Sequence, residues 1–339
     1  MKTELTVQAI GEQGLLTQLQ AFCPAEVIGD DAAVLALPAE QSLVVTTDLL
    51  VENVHFSDQT TSAEDVGWRA AAANLSDLAA MGASPVGITV GLGLPGHLSV
   101  DWVLSLYQGL QACLAPWQTP ILGGDICRSA QITVAITALG QVSPQQAIKR
   151  SAARPGDLII ASGVHGASRA GLELLLNTQP IESSCLTKTQ YQRFIQAHQR
   201  PCPRLDWLPI LRALPADIPL AGMDSSDGLA DAVLQICRAS GVGAQLEQAQ
   251  LPLPPGLVDW VGLETALDWA LYGGEDFELI LCLPPACLPR LQEQTNCSVI
   301  GRITVGSQVL LNRPDQPPLE LSLTQGFQHF QSLENLNNS

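Results

Sequence analysis

Residues 63–90 read AEDVGWRAAAANLSDLAAMGASPVGITV. Ala63 to Met81 is an Ala/Leu-rich stretch of helical character, and Gly82 stops it. Val86 to Val90 then reads as a strand. A helix running into a β-branched strand is the unit of a mixed α and β protein, and the alternation recurs on both sides. Upstream, Gln8 to Phe22 reads as a helix and Ser42 to Thr47 (SLVVTT) as a strand. Downstream, Ser99 is an N-cap for a helix to about Ala115, and Gln131 to Val142 is a long strand.

The character changes at Ser143 to Asp157 (SPQQAIKRSAARPGD), which is polar, basic and carries two prolines. This marks a boundary between an N-terminal α/β domain, 1–145, and a C-terminal α+β domain, 146–339. In the second half, Leu158 to Ala161 and Phe277 to Leu283 read as strands, and Ala167 to Asn177 and Leu229 to Ser240 as helices. Ile181 to Leu214 reads as a polar helical insert, Leu251 to Pro255 as a loop, and the tail from Asn335 as frayed.

Composition removes whole classes of function. The 339 residues carry 16 basic and 33 acidic side chains, a net charge of −17, with 46% apolar residues. That apolar content builds a core and excludes a disordered chain. The acidic balance argues against nucleic-acid binding, which needs a basic face. No apolar run reaches the ~18 residues of a membrane span, and no signal peptide opens the chain, so no membrane partner is expected. The nine scattered cysteines contain no C-x-x-C and read as reduced thiols of a cytoplasmic protein. The five histidines form no close pair, which disfavours zinc.

With charges this sparse, the placement of acids is informative. Asp30 and Asp31 lie in IGDDAAVL, Asp48 ends VVTTD, Asp125 follows ILGG, Asp224 and Asp227 lie in GMDSSDGL, and Glu275 and Asp276 lie in YGGEDFELIL. Any one of these fits a turn or cap, where Asp bonds local backbone. Asp77 is different. It sits in an apolar helix, three residues after Asn74 and on the same face, where an unpaired acid is costly. Together the set suggests hard divalent cations held by oxygen ligands.

The only lysines are Lys2, Lys149 and Lys188, so no P-loop exists, and no H-R-D or D-F-G element of a protein kinase is present. Nucleotide phosphates would be met by metal ions, by Gly-rich backbone and by a helix N-terminus at Ser226–Gly228. Gly91 to Gly96 is a literal G-x-G-x-x-G, but Pro95 interrupts it and the helix cap comes later, so it reads as a plain loop. A nicotinamide enzyme is the rival it leaves, which failure to bind NAD(P) together with saturable Mg-ATP binding would dismiss.

The ordered set IGDDAAVL, TTDLLVENVHF, NLSDLAAMGASP, ILGGD, RSAARPGD, MDSSDGLADA and YGGEDFEL, closing near GFQHF, resembles the thiamine-monophosphate kinase family of the aminoimidazole-ribonucleotide-synthetase-like superfamily. The resemblance covers nearly the whole chain. It implies a two-domain fold, α/β plus α+β, whose N-terminal domain forms a dimeric β-barrel with a second subunit. It implies transfer of a phosphoryl group from ATP to thiamine monophosphate, with Mg²⁺. By the same resemblance, Asp30, Thr46, Thr47, Asp48, Asp77, Asp125, Asp224 and Asp227 match the metal set. Tyr107, Gly124, Asp125, Arg150 and Ser226 match nucleotide contacts, and His55, Glu275 and Phe327 match acceptor contacts. Asp48, Asp125 and Arg150 are the expected catalytic group. Tyr107 is equally readable as a core aromatic, and Phe327 as packing for the tail. Ala152 and His165 depart from the family pattern, where glycine and a smaller or apolar residue are usual.

Within the superfamily, a selenophosphate synthetase would need a reactive Cys or selenocysteine in an N-terminal Gly-rich loop, and the hydrogenase-maturation relative would end in a functional cysteine. Cys23 precedes Pro24 without such a loop, and the chain ends LENLNNS. A purine-pathway synthetase and a non-catalytic nucleotide- or thiamine-binding scaffold complete the alternatives. The complete acid set argues against the scaffold.

Overall fold

The computed structural model describes residues 5–25, 27, 32–176, 186–215 and 218–326. Asp30, Asp31 and Phe327 lie outside them, as do the start of the expected insert and the tail from Asn335. The first half contains α1 (Val7–Leu19), β1 (Ser42–Val51), α2 (Ala63–Ala80), β2 (Ser84–Leu94), α3 (Val100–Leu114), β3 (Ile121–Arg128) and β4 (Thr133–Val142). The second half contains β5 (Leu158–Ala161), α4 (Ala167–Leu176), α5 (Lys188–Gln199), α6 (Leu208–Arg212), β6 (Ala221–Asp224), α7 (Leu229–Ser240), β7 (Gly243–Glu247), α8 (Leu257–Tyr272), β8 (Leu279–Leu283), α9 (Leu288–Gln292), β9 (Ser298–Thr304), β10 (Val309–Arg313) and β11 (Gln316–Glu320).

The strands form two sheets, one of four strands in the order β1-β4-β2-β3 and one of seven in the order β11-β10-β7-β9-β5-β8-β6. Every strand of the first precedes every strand of the second in the chain. The four-stranded sheet is open among the described residues, not a closed barrel. β4 runs antiparallel to both β1 and β2, and β3 is parallel to β2. β4 alternates cleanly, with Val134, Ile136 and Ala138 buried beneath the helices.

α2 is the centre of the molecule. Ser62 caps it by accepting the Asp65 amide, and Glu64 and Asp65 suit the positive end of the helix dipole. Its Leu75 and Leu78 share one core with Val134 and Ile136 of the first sheet and with Ile160, Leu279 and Leu281 of the second. The small residues of this helix let backbones approach. A Cβ on Gly67 would lie 1.9 Å from the Leu106 carbonyl oxygen, and one on Gly109 of α3 would lie 1.8 Å from that of Glu64.

Several expected boundaries move, each for a physical reason. β1 continues through Asp48 to Val51 because β4 pairs it along the whole length, so Asp48 is mid-strand, not terminal. Gly91 to Leu94 belong to β2, not to a loop; β4 and β3 hold Gly91 from both sides. Ile121–Arg128 is a strand despite its glycines: a Cβ on Gly124 would meet the Val90 carbonyl oxygen at 1.9 Å. The β8 strand starts at Leu279 and not Phe277, whose φ is 52°.

Candidate active site at the domain junction

β1, α2 and β6 converge where the two halves meet. On the helix-facing side of β1, the Thr46 hydroxyl donates to Asp77 of α2, and the Asp48 amide donates to Asn74 Oδ1 at 3.2 Å. The three-residue spacing of Asn74 and Asp77 thus ties one helix face to one strand. Ser76, between them, turns the other way and donates to Asp224 Oδ2 at 2.7 Å, at the end of β6. Ser226 donates to the other oxygen at 3.3 Å.

These carboxylates feel one another. Burial pushes Asp48 up to about 6, with Asp77 and Asp227 adding to the rise. Asp224 is driven to about 7 by burial, then by Asp77 and Asp48, against the hydrogen bonds from Ser76 and Ser226. Burial also raises Asp77, opposed by the Thr46 hydroxyl and by Arg150. Asp231, in the first turn of α7, is raised by burial and by Asp227, with Gln235 and Arg150 opposing. Asp48, Asp77, Asp224, Asp227, Asp231 and Arg150 therefore share one electrostatic neighbourhood. Asp231 was missed in sequence, although MDSSDGLADA displays it at an i, i+4 spacing from Asp227.

The donors are carboxylate and hydroxyl oxygens, the chemistry of hard cations rather than zinc. No group of three or more His, Cys, Asp or Glu closes on a ready-made ion site among the described residues. Clustered anions with raised pKa values nevertheless fit a divalent cation, which would relieve their repulsion. Beside them the chain turns at Gly228, whose φ is 104°, and α7 begins with its N-terminus facing this region.

A second cluster adjoins the first. The Glu275 amide donates to the Ser226 carbonyl at 2.6 Å, so the two loops touch. Glu275 has φ 58°, a left-handed conformation costly for a non-glycine residue. Arg69 of α2 donates to its carboxylate at 2.5 Å and to the His55 carbonyl at 3.3 Å. Burial pushes the Glu275 carboxyl up, but Arg69, His198 and His55 outweigh it and hold it below the ordinary value. His55 Nδ1 accepts the Val51 amide at 3.0 Å, which leaves Nε2 as the protonated nitrogen.

Other expected residues stand elsewhere. Thr47 points to the opposite face of the sheet, its hydroxyl 2.9 Å from that of Thr137. Asp125 and Gly124 are exposed on β3, the far edge from β1. Three strand spacings of about 4.8 Å separate these edges, roughly 14 Å. Tyr107 is buried on α3 with its ring centroid 5.3 Å from that of Phe22. Ala152 ends a short turn begun by Arg150. Asp276 has a capping role, accepting the Gly166 and Ser168 amides at 2.6 and 2.9 Å at the start of α4. His165 is fully buried beside the acid loop, its Nε2 3.1 Å from Ser225 Oγ, and burial lowers its pKa to about 3.

Comparison with known proteins gives the family. The family model described as AIR synthase related protein, N-terminal domain, matches residues 29–142. A thiamine-monophosphate kinase of Synechococcus elongatus is 52% identical over 335 residues, covering 97% of this chain and 99% of its own. The chain belongs to the thiamine-monophosphate kinase family. A solved thiamine-monophosphate kinase from Stenotrophomonas maltophilia K279a superposes with a TM-score of 0.77 at 34% identity, covering 87% of this chain and 94% of that one. Another solved structure, AaThiL complexed with AMPPCP and TMP, gives 0.71 at 30% identity and covers 94% and 99%. In this member of the thiamine-monophosphate kinase family, a helix from one half and loops from the other supply both clusters at the junction.

Proposed function

We propose that this chain transfers the terminal phosphoryl group of ATP to thiamine monophosphate, giving thiamine diphosphate and ADP. The observation that carries it is the near-full-length identity to a thiamine-monophosphate kinase in a chain whose acids gather at the domain junction. The acceptor is a phosphate monoester with a second pKa of about 6, so it is largely dianionic and already nucleophilic at neutral pH. No general base is required. His165 and His198 are both held neutral, at about 3, chiefly by burial, and are poor proton acceptors.

The obstacle is repulsion. Two unit charges about 4 Å apart repel by about 4 kcal/mol at an effective dielectric of about 20, and each phosphate carries more than one. Asp30, Thr46, Thr47, Asp48, Asp77, Asp125, Asp224 and Asp227 are the proposed Mg²⁺ ligands. Bound there, Mg²⁺ would supply positive charge that a chain of net charge −17 lacks. Arg150, beside Asp77 and Asp231, adds a bidentate donor for the nucleotide phosphates. Gly124, Asp125, Tyr107 and Ser226 complete the proposed nucleotide site. His55 would donate from Nε2 to the acceptor, with Glu275 and Phe327 as its further contacts. Asp48, Asp125 and Arg150 form the proposed catalytic group.

The proposed domains are 1–145, for ATP, Mg²⁺ and dimerisation, and 146–339. A homodimer is supported by the open face of the four-stranded sheet, where Leu43, Val45 and Leu49 are 49%, 55% and 52% exposed. An apolar edge strand of this kind invites a partner, and a dimeric barrel would cover it. Thr47 and Asp125 share that face, and a second copy packed there would meet both. A cytoplasmic location is part of the proposal; no described helix is long and apolar enough to cross a membrane.

A coupled assay for ADP tests the function. Turnover is expected with thiamine monophosphate and not with free thiamine or aminoimidazole precursors. Turnover with free thiamine would move the acceptor to an alcohol, and turnover with an aminoimidazole precursor would favour the synthetase alternative.

A further inference from the structure

We propose that Arg69 is a positioning residue for the acceptor substrate, holding Glu275 in place from across the domain junction. The inference rests on the reading of Glu275 as an acceptor contact. Arg69 projects from α2, and its side chain is 3% exposed. It joins three segments far apart in sequence. Nη2 donates to Glu275 Oε1 at 2.5 Å and to the His55 carbonyl at 3.3 Å, while Nη1 donates to the His198 carbonyl at 2.5 Å. His198 lies on α5, in the insert that the sequence left without a role.

Only a forked, permanently charged group makes these contacts at once; an ammonium is a single point with a shorter reach. The backbone of Glu275 is itself over-determined. Its left-handed conformation is held on one side by the Ser226 carbonyl and on the other by Asp276 at the start of α4. What remains free is the side chain, 33% exposed, and Arg69 fixes its direction. Arg69 makes the closest charged contact to Glu275, 2.5 Å against 3.7 Å for His198, and is the first of the groups that hold its carboxyl below the ordinary value. Two of the three proposed acceptor contacts, His55 through its carbonyl and Glu275 through its carboxylate, thus converge on one guanidinium. The insert contributes by offering the third anchor, the His198 carbonyl.

The test compares Arg69→Met, Arg69→Lys and Glu275→Gln with the wild-type full chain, measuring KM for both substrates and the calorimetric Kd of thiamine monophosphate. Arg69→Met should raise both acceptor constants about tenfold or more, with KM for ATP within about twofold of wild type. Arg69→Lys should recover part of the loss. Because Arg69 acts through Glu275, a protein carrying both Arg69→Met and Glu275→Gln should bind the acceptor no worse than Glu275→Gln alone. Should Arg69→Met fail to fold, Arg69→Lys carries the comparison: an acceptor-selective rise supports the proposal, and an equal rise for both substrates overturns it. If Glu275→Gln weakens the acceptor but the Arg69 variants do not, the positioning role is wrong. If Glu275→Gln leaves the acceptor constants unchanged, the reading of Glu275 itself has failed.

Discussion

Asp224→Asn is expected to lower kcat/KM by about 10²–10³-fold and, in the same protein, to raise its melting temperature at pH 8. The two changes move in opposite directions because the site is built from charges that the fold alone does not balance. Asp224 is 2% exposed and its carboxyl is raised to about 7, by burial first and then by Asp77 and Asp48. For an acid whose folded pKa exceeds its unfolded value, the unfolded chain loses its proton first as pH rises. Stability is therefore intact below the ordinary value of 3.8 and falls between there and about 7. One pKa unit corresponds to about 1.4 kcal/mol, so the ionised carboxylate costs the metal-free fold on the order of 4 kcal/mol. Asparagine keeps an oxygen to accept from Ser76 and carries no charge. The gain should appear in melts at pH 8 and vanish near pH 4. Asp48→Asn should behave alike with a smaller gain, since its rise is to about 6. Full activity in Asp224→Asn, or a loss of stability at pH 8, would remove Asp224 from the site.

Gly109→Ala is expected to destabilise the protein by about 3 kcal/mol or more, against the usual rule for helices. In an exposed helix interior, glycine is about 1 kcal/mol worse than alanine, so the substitution would ordinarily help. Here the added Cβ would lie 1.8 Å from the Glu64 carbonyl oxygen and 2.7 Å from its carbon, both backbone atoms that no rotamer change can move. Gly67 faces Leu106 in the same way, so α2 and α3 must separate to admit either methyl group. Because α2 carries Arg69, Asn74, Ser76 and Asp77, activity should fall along with stability. Reversible denaturant titration measures the change; an unaltered or higher midpoint would show that the helices do not cross this closely.

What could be read in advance follows a physical division. Local signals were legible: Ser99 caps α3, Leu158–Ala161 is a strand, and the Asn74–Asp77 spacing marks a helix face turned toward ligands or partners. Features made by pairing across the fold were not. Gly91 sits in a strand only because β3 and β4 flank it, and Asp48 is mid-strand only because β4 is long. The candidate site divides the same way. The acids stand out in the sequence by the small or polar residues beside them, and Asp77 and Asp227 lie near enough to Asp48 to raise its pKa. Arg69 and His198 gave no signal, because a lone cation on an alanine-rich helix and a histidine in a polar insert acquire meaning only on meeting Glu275. Thr47 and Asp125, grouped with the acids by motif alone, lie on the sheet face turned away from α2, because residues alternate sides along a strand.

The most direct measurement is a single turnover with ATP labelled in its terminal phosphate, enzyme in excess, quenched in denaturant at intervals after thiamine monophosphate is added with Mg²⁺. The label should pass from ATP to thiamine diphosphate with none bound to protein at any time. Label appearing on the protein before the product, at a rate that accounts for turnover, would contradict direct attack by one phosphate on the other.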